Sequence, residues 1–183
     1  MKELDVRTVV YLPPEEAFEL IRDFPGYANY STYLKTVHQE GDGSVGTRYD
    51  LVLAWWKLGY TARSRVTAIE PPERIDWTLV DGLDAQGSWF VEPAPEKLDD
   101  PDSIPDEVVD PEHATRIILH VEYDPESARD ASIDLPMLVS MDWVIGKVTP
   151  LAEREGKRVV KRIAADLEGQ SRPVELTIEN NSR

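Results

Sequence analysis

The residues here that could do chemistry are few. The chain has three histidines and no cysteine, so disulfides, thiolate metal sites and a cysteine nucleophile are ruled out. His38, His113 and His120 lack metal-ligand spacing, and His120 alternates with Leu119 and Val121, which turns it to the outer face of a strand. There is no Gly-x-Ser-x-Gly elbow, phosphate loop or Gly-x-Gly-x-x-Gly turn. No catalytic residue, metal site or cofactor is assigned.

What remains is an aromatic and apolar stripe read at strand period. Tyr49, Leu51, Leu53 and Trp55 share one face, with Arg48 and Asp50 on the other. The next strand opposes them with small residues, Ala62, Ser64, Val66 and Ala68. Ile75, Trp77 and Leu79, then Trp89 and Val91, then Ile117, Leu119, Val121 and Tyr123 continue that face. Large side chains flanking a small-residue strand leave room beneath a covering helix. The expected lining is Tyr49, Leu53, Trp55, Tyr60, Ser64, Trp77, Trp89, Val91 and Leu119. The same side chains would equally serve to fill a dry core. Asp50 and Asp76 fall on the opposite face by the same alternation.

These residues need strands to carry them and a helix to cover them. Leu4 to Leu12 reads as a first strand; Pro13-Pro14 ends it and Glu15-Glu16 opens a helix with Ala17, Leu20, Ile21 and Phe24 on one side. A short helical turn is expected to follow, to Tyr33. Strands are expected over 35–40, 46–57, 60–70, 74–80, 87–93 and 114–123, each bounded by Gly, Pro or Asp. A long amphipathic helix is expected from Thr149 to about Leu167, with Pro150 at its first position and Leu151, Val159, Val160, Ile163, Ala164 and Leu167 at helical spacing. A shorter apolar helix, Leu138 to Ile145, precedes it. The fold class is α+β: a curved antiparallel sheet wrapped around the long C-terminal helix, with two short helices after the first strand.

Composition sets the outer bounds. The 183 residues suit one domain, taken as 1–170, followed by a tail, 171–183, in which Val174, Leu176 and Ile178 alternate as an edge strand or a frayed end. The formal charge is −15, and only seven of the 20 cations are lysine. Such a surface repels nucleic acid and anionic membranes, which are set aside as partners. Scattered acid with scarce lysine fits a high-salt cytoplasm, an ordinary acidic protein being the other reading. No apolar run is long enough to span a bilayer, and the first residues do not read as a signal peptide, so a cytoplasmic location is expected. Residues 94–113 are different in kind. Eight acids and one base between Glu96 and Glu112 give −7, with prolines at 95, 101, 105 and 111. This reads as a solvated loop inserted between strands, without the glycine and terminal glutamate of an EF-hand.

Four local patterns resemble the START-like superfamily, which includes polyketide cyclases, lipid-transfer domains and coenzyme Q-binding proteins. They are Leu12-Pro13-Pro14-Glu15-Glu16-Ala17-Phe18 with Leu20-Ile21 and Asp23-Phe24 before Tyr27; Val66-Thr67-Ala68-Ile69-Glu70-Pro71-Pro72-Glu73-Arg74-Ile75; Gly87-Ser88-Trp89-Phe90-Val91-Glu92-Pro93; and Ala114-Thr115 opening the following strand. The resemblance covers roughly Val6 to Leu167. It departs after Tyr27, where the family often has tryptophan and proline and this chain reads Ala28-Asn29-Tyr30-Ser31-Thr32. The resemblance implies a helix-grip fold that binds or carries a hydrophobic small molecule of lipid or isoprenoid-quinone type. A cyclase or dehydratase acting in the same cavity, and a protein-interaction module, are the other functions it admits.

Overall fold

The computed structural model describes residues 2–55, 58–124, 126–127, 154–155, 158–166, 168–169, 172–174 and 176–182; for Trp55, Leu58, Ser103 and 180–182 it describes the backbone alone. The apolar lead-in at 138–145 and the start of the long helix at Thr149 lie outside the described residues.

β1 (Lys2–Val10) is followed by α1 (Pro14–Arg22). Pro14 occupies the start of α1, where a missing N–H costs nothing, Glu15 and Glu16 lie in its first turn and Arg22 in its last. Asp23 ends it, and its carboxylate accepts the Gly26 N–H at 3.2 Å to open a 3-10 helix over Phe24–Asn29. The remaining strands are β2 (Leu34–Glu40), β3 (Arg48–Trp55), β4 (Leu58–Glu70), β5 (Arg74–Leu79), β6 (Asp84–Pro93), β7 (Thr115–Asp124) and β8 (Thr177–Ser182). They make one curved antiparallel sheet in the order β2-β3-β4-β5-β6-β7-β1-β8. A C-terminal helix, α2, is described at 154–155, 158–166 and 168. Of the two readings of the tail, an edge strand forms, but as β8 it begins after Val174 and Leu176, pairing to β1 from Lys2↔Ser182 to Arg7↔Thr177.

One face of the sheet packs α1. Ala17, Phe18 and Ile21 of the helix join Val10, Tyr49, Val66, Ile75, Val91 and Ile117 in a buried core. At its margin Thr115 is fully buried and donates through Oγ1 to the Leu12 carbonyl at 2.6 Å, tying the exit of β1 to the start of β7. The strand register shifts at two points, between Leu34 and Thr36 on β2 and between Val66 and Ala68 on β4, and the second bears on the inner face. Val66 pairs with Trp77 but Ala68 pairs with Asp76, so Thr67 is an extra residue. This β-bulge flips the parity of the rest of the strand. Ala68, expected on the inner face, lies opposite the outward Asp76, and Ile69 takes the inner place opposite Ile75. The 94–113 loop holds two 3-10 turns, Pro95–Lys97 and Pro101–Ser103, and an ion pair from Glu96 to Arg116 ties it to β7.

Candidate functional site

The inner face has two ends. Under α1 it is filled: Val10, Thr8, Val91, Ile117, Ile75 and Val66 are buried. Away from α1, most apolar side chains of the same face are only half-buried, Ala85 at 4% exposed being an exception. The half-buried ones include Leu4 and Val6 on β1, Leu119, Val121 and Tyr123 on β7, Trp77 and Leu79 on β5, and Leu51 and Leu53 on β3. The strand register makes this a continuous surface. Val6 faces Leu119, Leu119 faces Trp89, and Trp89 faces Ile75; one step along, Leu4, Val121, Gly87, Trp77 and Val66 form the next row.

The expected lining residues divide between these ends. Leu53, Tyr60, Ser64, Trp77 and Leu119 lie on the half-buried stretch. Val91 lies in the filled core, and Trp89 packs against that core from the boundary. Tyr49 is 2% exposed and crosses beneath the end of α1. It helps line a polar cleft of about 190 Å3, with Glu19, Arg22, Asp23, Gln39 and Asp42 around it. The side chain of Trp55 lies outside the described residues.

Two aromatic residues of the helical turn join this set. The Phe24 ring is 5.3 Å from that of Tyr27 and 4.8 Å from that of Tyr49, and the Tyr27 ring stands edge-on to Trp89 at 6.5 Å. The sequence marks Phe24 on the apolar side of the helix and both residues in the family-like pattern, but neither as lining, because a surface turn would show the same aromatic character. The Tyr27 hydroxyl donates to the Ile21 carbonyl at 2.5 Å, and burial, reinforced by the nearby Asp23 carboxylate, pushes its ionisation far up. Burial also raises Tyr49 and Tyr60, whose hydroxyl lies against the Leu83 backbone. These phenols remain protonated at neutral pH, so they act as hydrogen-bond donors and not as bases.

The outer face is polar and internally paired. Asp50 lies 3.7 Å from Arg63, Asp76 lies 2.7 Å from Arg74, and His120 Nδ1 is 2.7 Å from Asp5. Gln86 donates to Glu122 at 2.7 Å. A cleft of about 270 Å3 is lined by Arg74, Asp76, Gln86, Ser88, His120 and Glu122, among others. Among the described residues no group of three or more His, Asp or Glu could hold a metal.

α2 is fastened at both ends. Tyr30 donates through its hydroxyl to Asp166 at 2.6 Å, and Arg162 donates to the Tyr30 carbonyl at 2.6 Å. Ser31 and the Thr32 N–H both donate to Glu155. Two residues beyond Asp166, Glu168 accepts the Tyr11 N–H at 3.0 Å. The stretch Tyr30 to Thr32, where the sequence leaves the family's usual pattern, is therefore the docking strip of the helix.

A curved antiparallel sheet with a C-terminal helix, and an apolar inner face, defines the START-like class. The family described as polyketide cyclase / dehydrase and lipid transport matches residues 1–168, and the chain belongs to it. Its description covers hydrophobic small molecules in general, as ligands or as substrates. Among solved structures, TTHA0849 from Thermus thermophilus has a TM-score of 0.62 at 15% identity, covering 91% of this chain and 97% of its own. The Zhui aromatase/cyclase from Streptomyces sp. R1128 also has a TM-score of 0.62, at 13% identity, covering 92% of this chain and 94% of its own. XoxI from Bacillus cereus has a TM-score of 0.53 at 12% identity, covering 92% and 99%. At these identities the likeness is one of fold. No curated protein matches the sequence. Among the described residues no helix is long and apolar enough to cross a membrane.

Proposed function

We propose that this protein binds and carries a hydrophobic small molecule, of lipid or isoprenoid-quinone type, against the half-buried end of its inner sheet face. The observation that carries this reading is the half-buried apolar surface that runs, past the small buried residues Ala85 and Gly87 on β6, from Leu4 and Val6 across Leu119 and Val121 to Trp77 and Leu79. A dry core would bury these side chains as fully as Val66 and Ile75, which are 2% and 1% exposed on the same face. Covering such a surface with a ligand recovers about 25 cal/mol per Å2 of apolar area removed from water. The Tyr60 hydroxyl, held protonated, and the Ser64 hydroxyl offer polar contacts at its margin. Family membership supports a hydrophobic ligand in general terms.

The test is denaturing extraction of the purified protein followed by mass spectrometry. A stoichiometric lipid or quinone that is lost from a folded Trp77→Ala variant is the expected result. An empty wild-type protein that also fails to take up added lipid or quinone would overturn the reading.

A further inference from the structure

Glu155 differs from the other carboxylates of the described residues. It lies in the first described turn of α2 and is 7% exposed. Its Oε1 is anchored, accepting the Ser31 hydroxyl at 3.2 Å and the Thr32 backbone N–H. Ser31 is fixed in turn, because its Oγ accepts the N–H groups of Tyr33 at 3.2 Å and Leu34 at 3.1 Å. Oε2 is buried and receives no hydrogen bond among the described residues. Arg158 Nη1 stands 3.8 Å from it, near enough for attraction and beyond hydrogen-bond reach. A buried carboxylate oxygen without a donor is costly, more so than a neutral acceptor, and calls for a partner that the described residues do not supply.

Its position says what that partner belongs to. The Ser31–Thr32 turn runs directly into β2, whose first residue, Leu34, is buried and pairs with Leu53 on β3. Glu155 therefore stands where α2 meets the turn that opens β2, with Ser31 three residues of chain before Leu34, which pairs with Leu53, one of the candidate lining residues.

We infer that Glu155 Oε2 reads the polar end of the ligand, and that the ligand is an apolar molecule ending in a hydrogen-bond donor (a hydroxyl, a phenol or an amide N–H) and not in an anionic headgroup. This rests on the hydrophobic-ligand reading and narrows it. A carboxylate only accepts. A donor completes Oε2; an ether or ester end sets lone pairs against it; a carboxylate or phosphate end adds like-charge repulsion where little water screens it.

The test uses three probes with one apolar body: naphthol, methoxynaphthalene and naphthoate. Each is titrated calorimetrically at neutral pH into the full chain and into Glu155→Gln. The substitution keeps a carbonyl oxygen for Ser31 and Thr32 and can place an N–H donor where Oε2 stood. Wild type is expected to hold naphthol about tenfold or more tighter than methoxynaphthalene, as a charge-assisted hydrogen bond would give, with naphthoate weakest. In Glu155→Gln the advantage of naphthol over methoxynaphthalene disappears. Equal wild-type binding of all three would overturn this inference and leave the hydrophobic site standing. Binding of none would overturn both. An unchanged preference in Glu155→Gln would assign the selection to another group and overturn the role given to Glu155. Should that variant fail to fold, the wild-type ranking still decides the ligand class.

Discussion

Arg172 and Glu168 meet in a two-point ion pair, Nε to Oε2 at 2.6 Å and Nη2 to Oε1 at 2.8 Å, with side chains only 2% and 6% exposed. Gly169, at φ +71°, turns the chain after α2 so that the guanidinium comes back over the carboxylate. The same guanidinium reaches the Val9 and Pro173 carbonyls and lies over the Tyr11 ring. The last turn of α2 is thereby riveted to β1. Removing one partner strands the other: Arg172→Met is expected to cost about 3–5 kcal/mol. Replacing both, with Glu168→Leu added, should recover part of that loss. Urea unfolding of the three proteins at fixed salt checks it, and a single variant as stable as wild type would refute the account of the pair.

Gly87 makes room for Trp77. A Cβ at that position would stand 2.5 Å from Trp77 Cζ2 and 2.6 Å from the His120 backbone carbonyl, and the carbonyl belongs to the sheet and cannot step aside. Gly87→Ala should therefore destabilise by about 1–3 kcal/mol and shift the tryptophan emission as the indole is displaced. Emission and unfolding midpoint both unchanged would place the indole elsewhere.

The same residues show how much of the molecule is legible in its sequence. Strand period exposes the inner face, since Leu53, Trp77 and Leu119 alternate with residues such as Asp76 and His120 that the structure turns outward. It misses the bulge at Thr67, because one inserted residue flips parity without altering composition, and so Ala68 reads onto the wrong face. Helical spacing gives α2, but Glu155 reads on that pattern as one more charge in a first turn. Only the meeting with Ser31 and Thr32, more than a hundred residues earlier, makes it a buried acceptor. Arg172 is hidden for the same reason, standing in a polar tail where its links to Val9 and Glu168 are made at long range and across a turn.

Alkali should loosen the docking of α2. Tyr30 is pushed up to about 12 from its ordinary value of 10.0, chiefly because its hydroxyl donates to Asp166, a bond that ionisation removes. The stabilisation is fully present below pH 10.0 and is lost as pH rises through about 12. Tyr27, Tyr49 and Tyr60 are shifted in the same direction, so their contributions fade on the same side. Unfolding midpoints measured upward from pH 10 should fall in wild type and fall less in Tyr30→Phe. Equal slopes would remove Tyr30 from the account.

The central claim is that the half-buried end of the inner face receives an apolar molecule. Its most direct measurement is fluorescence titration with Nile red, a neutral apolar dye, of wild type, Leu119→Asn on the inner face and Ser88→Ala on the outer. Wild type and Ser88→Ala are expected to bind the dye saturably and alike, while Leu119→Asn, still folded, binds it about tenfold more weakly or worse, because a polar group replaces buried apolar surface. No saturable binding by wild type, or loss in Ser88→Ala with Leu119→Asn unaffected, would contradict it.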